Sequence, residues 1–375
     1  MSTAGLLAAV AVVVSWITTR LLSRNGGTLG LDVPNHRSLH DEEVTRTGGI
    51  GILVGAGAVI VLERALGAGA VTATRELAII LLSATAIAVV FVIDDLRGLP
   101  ILFRLFVQFV LATGVVMAAG LWQVAVLGLE PSWLTGTLAV LGVVWVMNLY
   151  NFMDGMDGFA GGMTVAGFGV LAALGFRGGE TSLALASLAV AAGALGFLPH
   201  NWPKARIFMG DGGSVTIGFL AAAFSLWGTV RGVFSLWVPL LAFSPFILDA
   251  TWTLLKRAAK GEKVWLAHRE HLYQRLVLSG WSQPRTLALE YGMMVVAAAA
   301  ALLFDFVGAG AQLAIEGAVV AGFLGLMVFV RKRGSLEDAA ASSELGELLE
   351  RTAPREEPMD LPGRASGGGK RAVSA

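Results

Sequence analysis

Apolar stretches of roughly 17–22 residues recur along most of this chain, each long enough to cross about 30 Å of hydrocarbon as a helix. They are expected at roughly 4–22, 48–66, 77–93, 101–120, 133–149, 159–176, 181–198, 212–230, 233–255, 287–307 and 310–330. A bilayer leaves no water to satisfy the backbone of open strands or loops. The pattern therefore predicts an all-α, polytopic integral membrane protein with about eleven transmembrane helices. Composition agrees: 55% of the 375 residues are hydrophobic and 14% charged, with a mean hydropathy of +0.73, against about 25% charged in a soluble domain. The run from Leu6 to Ile17 has no basic segment before it and no small-residue cleavage site after it, so it reads as the first span rather than a signal peptide.

Orientation follows from Lys and Arg, which concentrate in cytoplasmic connections. With the N-terminus outside, the inward connections hold 18 of them, and the outward ones hold Arg64, Arg75, Arg177 and Arg231. That favours an odd number of spans and a cytoplasmic C-terminus. The transmembrane domain is expected over residues 1–333, with inward loops at 23–47, 94–104, 148–158, 199–214 and 256–286. Residues 334–375 are rich in Ser, Glu, Ala, Pro and Gly and predict a disordered cytoplasmic tail, with one short helix near Glu344–Arg351.

Zero net charge argues against nucleic acid as a partner, which clustered excess Lys and Arg would hold. The absence of cysteine removes thiolate chemistry and disulfides. Chemistry must come from Asp, Asn, His, Arg, Lys and hydroxyls, and nearly all the unusual polar groups fall in the five inward loops.

The first loop reads Asp32-Val-Pro-Asn-His-Arg-Ser-Leu-His40, then Thr45-Arg-Thr-Gly-Gly49 at a span entrance. Backbone amides at Gly48 and Gly49 are placed to meet a phosphate, with Arg46 as counter-charge; a plain helix start with a positive-inside arginine is the alternative. Asp94 and Asp95 end the third span, where ionised carboxylates are costly unless paired with a cation, a metal or each other, and read as functional; a charge cluster with Arg97 and Arg104 that simply ends the helix is the alternative. The fifth span leads into Asn148-Leu-Tyr-Asn-Phe-Met-Asp-Gly-Met-Asp-Gly158. If that segment is helical, Asn148, Asn151, Asp154 and Asp157 lie on one stripe. Oxygen ligands of this kind suit Mg²⁺, with Mn²⁺ the alternative.

Asp211 precedes the eighth span among glycines, with Lys204 and Arg206 nearby; it reads as a metal ligand, with a helix N-cap as the competing role. In the longest loop, His268 and His271 are expected on one helix face with Arg275 a turn on, as a cationic clamp for pyrophosphate, with a metal site or an amphipathic interfacial helix as the alternatives.

Taken together, Asp94-Asp95, Asn148-x-x-Asn151-x-x-Asp154-Gly-x-Asp157-Gly158, Pro203-x-Ala-Arg206-x-Phe-Met-Gly-Asp211-x-Gly-Ser214 and His268-x-x-His271 resemble, in order, the motifs of the polyprenyl-phosphate N-acetylhexosamine-1-phosphate transferases. Thr45 stands where that family often has proline. The string His268-Arg-Glu-His271, with Tyr273-Gln274-Arg275, is similar to the branch transferring 6-deoxy sugars such as FucNAc or QuiNAc, some of whose members use GlcNAc.

The resemblance implies attack by undecaprenyl (polyprenyl) phosphate on the β-phosphorus of a UDP-N-acetylhexosamine, with release of UMP, to initiate lipid-linked cell-surface glycan synthesis at the inner membrane. It implies Asp94, Asp95 and Asp154 as catalytic residues. Arg46, Asn148, Asp157, Arg206, His268, Arg269 and His271 would bind substrate, and Asn151 with Asp211 would hold Mg²⁺. A second copy of the chain is a further candidate partner. Phospho-MurNAc-pentapeptide transfer is the alternative reaction. A secondary transporter is the alternative of another class, for which polar groups near the membrane centre and a repeat between halves are expected.

Overall fold

The computed structural model describes residues 2–24, 31–32, 44–65, 74–126, 128–265 and 268–352. Of the first inward loop, residues 25–30 and 33–43 lie outside them. The described chain is almost wholly helical: α1 (Thr3–Arg24), a two-residue pair β1 (Leu31–Asp32) and β2 (Val44–Thr45), α2 (Gly48–Ala65), α3 (Arg75–Arg97), α4 (Ile101–Ala118), α5 (Trp133–Met153), α6 (Phe159–Arg177), α7 (Thr181–Asn201), α8 (Asp211–Val230), α9 (Trp237–Ala242), α10 (Ser244–Ala259), α11 (Leu272–Leu278), α12 (Gln283–Phe304) and α13 (Ala309–Thr352).

Ten of these helices are long and apolar enough to cross a membrane, and the protein is a multi-pass membrane protein. The expected ninth span, 233–255, is instead broken. It is divided between α9 and α10, which meet at Phe243. Pro245, in the first turn of α10, has no N–H to carry an unbroken helix across that point. Among the described residues, ten helices therefore meet the length and hydropathy of a span, against the about eleven expected.

α8 is the most enclosed helix, with buried residues along its whole length, and it packs on α3 and α5. α7 closes against α1, α2 and α6. Small residues allow these approaches, as in other membrane bundles. At Gly49 of α2, any side chain would collide with the Gly213 backbone of α8. Because consecutive spans alternate in direction, the ends of α3, α5 and α7 and the starts of α4, α6 and α8 gather at one end of the bundle.

Residues 1–330 form one unit and Arg331–Ala375 a second. Within the second, α13 runs on to Thr352, replacing the short helix expected near Glu344–Arg351. Ala, Leu, Glu and Arg, good helix formers, dominate that stretch. Residues 353–375, the rest of the expected disordered tail, lie outside the described residues.

Candidate active site

The acids of α3 reach further than the predicted span because the helix continues to Arg97, which puts Asp94 and Asp95 on its last turn. Asp94 is buried. Its Oδ1 accepts the Leu99 N–H at 2.6 Å, closing the α3–α4 turn, and its Oδ2 accepts from Arg104 at 2.9 Å. Arg104, on the first turn of α4, also faces Asp211 Oδ2 at 3.5 Å. One guanidinium thus bridges two carboxylates from different helices.

Asp95 has a different task. Its two oxygens accept the N–H groups of Asp211 (3.1 Å) and Gly212 (2.9 Å), the first amides of α8. A carboxylate there satisfies orphan donors and complements the helix dipole. The capping proposed for Asp211 is therefore performed by Asp95, which leaves the Asp211 side chain free for another partner. Its Oδ1 accepts from the Asn151 amide at 2.8 Å, and the same amide nitrogen lies 3.1 Å from Ser214 Oγ. With that nitrogen committed, the carbonyl oxygen is the remaining donor atom of Asn151.

α5 ends at Met153, so the four-residue stripe does not continue as one helix. Asn148 and Asn151 lie on α5, Asp154 is its C-cap, and Asp157 sits in the turn beyond. Burial pushes the Asp154 carboxyl well above the usual carboxylate range, and Asp211 and Asp95 push it further, against the opposing pull of Arg46. A cation among these acids would relieve that repulsion. Asn148 donates to Gln108 Oε1 on α4 at 2.7 Å and to the Val144 carbonyl. Asp157 accepts the Ala205 N–H at 2.9 Å, and Asn201 accepts from Gly158 N and donates to the Ile207 carbonyl, both at 2.9 Å. These bonds brace the acid turn against the 203–210 loop.

The Gly48 and Gly49 amides, expected to meet a phosphate, donate instead to the carbonyls of Phe208 (2.8 Å) and Met209 (2.9 Å). With a Thr45–Ile207 bridge, they dock the entrance to α2 on the loop before Asp211. Arg46 is carried into the field of Asp95, Asp154 and Asp211. Arg206 is exposed.

The histidine loop departs most from expectation. α11 begins at Leu272, so His268 and His271 do not share a helix, although their rings lie 4.8 Å apart. His271 is 2% exposed, too enclosed to clamp a substrate itself. His268 and Arg269 are partly exposed. Burial, then the neighbouring His271 and Arg257, push His268 down to about 4. It is therefore neutral near pH 7, and its Nδ1 accepts the Glu270 N–H at 3.3 Å.

The unfolded chain, with His268 at its ordinary 6.5, takes a proton that the folded chain refuses. Its contribution to stability is full above about 6.5 and falls as pH drops toward 4. Thermal unfolding in detergent should show wild type losing stability relative to His268→Gln across that window, whereas parallel curves would remove the assignment.

Among the described residues no three His, Cys, Asp or Glu side chains converge on a closed metal cage. Mg²⁺ is usually held by one or two carboxylates, water and substrate phosphates, and the Asp211 carboxylate, with the Asn151 carbonyl oxygen as a further oxygen ligand, fits that. A cleft of about 340 Å³ opens here, with Arg104, Asn151 and Asp211 at one end and Phe109, Leu141 and Val144 among its apolar walls.

Arg104, Gln108, Asn201 and Asp249 were not singled out from sequence as site residues. Gln108 and Asp249 carried a usable signal, since each is a polar group inside an otherwise apolar stretch.

Residues 77–229 match glycosyl transferase family 4. The chain is 31% identical to a probable undecaprenyl-phosphate N-acetylglucosaminyl 1-phosphate transferase of Bacillus subtilis (strain 168), over 75% of this chain and 80% of that protein. It is 30% identical to a decaprenyl-phosphate N-acetylglucosaminephosphotransferase of Mycobacterium tuberculosis (strain CDC 1551 / Oshkosh), over 88% and 89%. A phospho-N-acetylmuramoyl-pentapeptide-transferase of Synechococcus sp. (strain JA-3-3Ab) is 33% identical over 43% and 47%.

Proposed function

The chain belongs to glycosyl transferase family 4, and on that premise we propose that it transfers N-acetylhexosamine-1-phosphate from a UDP-sugar to a polyprenyl phosphate, releasing UMP. It is a polyprenyl-phosphate sugar phosphotransferase. The names of both long-matching relatives support GlcNAc as the sugar to test first. The pentapeptide transferase matches less than half of this chain and supports its alternative less well.

The observation that carries the reading is Arg104 held between Asp94 and Asp211 at the polar end of a cleft with apolar walls. A prenyl tail suits the walls, and its phosphate suits the guanidinium. Such a phosphate, with a second pKa near 6, is largely a dianion at neutral pH and needs little deprotonation. Asp94, already paired with Arg104 and Leu99 N–H, suits an orienting counter-ion better than a base. An acceptor oxygen attacks the donor's β-phosphorus, the bond from that phosphorus to the oxygen bridging it to the α-phosphate breaks, and UMP departs. Arg46 and Arg104 neutralise the transferring phosphate, and Asp157 with Asn201 keeps the acid turn in place. A divalent cation, Mg²⁺ by the oxygen-only donor set, would be held by Asp211 and Asn151 and would supply charge neutralisation at the diphosphate.

The bias of 18 Lys and Arg against 4 supports a site at the cytoplasmic face of the inner membrane. The acids cluster at helix ends rather than near the midplane, which disfavours the transporter alternative.

Purified enzyme given undecaprenyl phosphate and a panel of UDP-N-acetylhexosamines should yield a lipid-diphosphate-GlcNAc by mass spectrometry, and should exchange radiolabelled UMP into UDP-GlcNAc only with divalent metal. Neither product nor exchange with any donor would overturn the proposal.

A further inference from the structure

Asp249 lies on α10, the second part of the broken segment, and is 4% exposed. A buried carboxylate is costly unless it is well bonded, and this one is. Both oxygens accept the Leu272 N–H at 3.0 Å, Oδ1 accepts the Thr253 hydroxyl at 3.1 Å, and Oδ1 lies 3.5 Å from His271 Nδ1. That ring nitrogen is buried and makes no hydrogen bond to another residue.

The contacts continue toward the acids. The His271 ring stacks on Tyr273 with 6.0 Å between centroids and 12° between planes. Burial first, then the charges of Asp249 and Asp154, push the Tyr273 hydroxyl well above its ordinary range and keep it protonated. It donates to the Phe152 carbonyl at 3.4 Å, in the last turn of α5. It also fills the space above Gly155, where any side chain would strike it. One buried carboxylate is thus connected, through an imidazole and a phenol, to the turn that carries Asp154.

We propose that Asp249 is a positioning residue of the transfer site. Through His271 and Tyr273 it fixes the spacing between the histidine loop and the acid turn at the end of α5. The proposal rests on the transferase reading for its catalytic consequence. His271 is too buried to touch a donor, so its contribution passes through what it packs against, and His268 and Arg269 are the loop members exposed enough to meet one. An asparagine at 249 keeps an acceptor for Leu272 N–H but loses the negative charge that stands 3.5 Å from the imidazole.

Displacement of a reacting group by about 1 Å costs on the order of 100-fold in rate. Asp249→Asn should therefore raise the donor KM and lower kcat, for a fall in kcat/KM of about 30–100-fold. Asp249→Asn, His271→Gln and the double variant, each full-length in detergent, should not be additive. The double should lie within about threefold of the worse single, because both changes break one connection. Additive losses, or an Asp249→Asn enzyme with wild-type KM and kcat, would overturn the proposal.

Hydrogen exchange on the same proteins without substrate supplies a measure independent of turnover. Asp249→Asn should speed exchange at 268–275 and at 152–158 while leaving 228–236 unchanged. Faster exchange confined to 268–275 would equally overturn the connection to the acid turn. If wild type turns over no UDP-N-acetylhexosamine, the functional reading fails, and the exchange pattern still decides the coupling.

Discussion

Asp211→Asn is expected to reduce UMP exchange by on the order of 10³-fold, with little change in thermal stability. The carboxylate stands between two donors, the Asn151 amide at 2.8 Å on Oδ1 and Arg104 at 3.5 Å from Oδ2. An amide in its place has one acceptor and one NH₂ group, so in either orientation a donor meets a donor. The site also loses the negative charge proposed to hold the cation. The start of α8 does not depend on this side chain, because Asp95 takes the Asp211 and Gly212 amides. Folding and chemistry should therefore separate. The check is exchange measured across a Mg²⁺ titration, alongside a melting curve in the same detergent. Turnover within tenfold of wild type at saturating metal would sink the assignment of Asp211.

Gly210→Ala should damage both. Gly210 is the N-cap of α8 with φ 73° and ψ 168°, a region essentially restricted to glycine. An added Cβ would collide with the Arg46 carbonyl oxygen and come within 2.9 Å of Asp95 Oδ2. The Arg46 backbone cannot yield without disturbing the Gly48 and Gly49 bonds to the Phe208 and Met209 carbonyls. Backbone strain and overpacking together should cost about 2–6 kcal/mol. The same shift moves Arg46, Asp95 and Asp211 at once. A clear drop in melting temperature and a loss of exchange beyond 100-fold are expected. Gly57→Ala, with no atom within 4 Å of the new Cβ, is the control expected to behave as wild type. A Gly210→Ala enzyme that melts and turns over like Gly57→Ala would show that the loop tolerates a side chain.

The helices were legible because hydropathy over a 20-residue window is a local sum, and ten spans emerge close to where apolar runs predict them. The break at Phe243 was less so, since Pro239 and Pro245 lie in an apolar run whose average hides them. At the site, Asp94, Asp95, Asn151 and Asp211 could be selected because polar groups at membrane depth are expensive. Their individual tasks could not. Asp94 and Asp95 are adjacent in sequence, yet one pairs with Arg104 and the other caps α8. His271 looked like a clamp by its spacing from His268, but the helix begins only after it, at Leu272, and the ring is buried.

The sequence by itself determined that the chain is a bundle of membrane helices, which loops share a side, and which polar residues had to find partners. It could do so because hydrophobic length, charge bias and the cost of burying polar groups are properties of short segments. Only the tertiary structure decided who the partners are. Asp95 meets an amide 116 residues away and Asn151 meets a carboxylate 60 residues away. Those meetings depend on where each helix ends and how it is rotated against α8, which packing of the whole bundle sets.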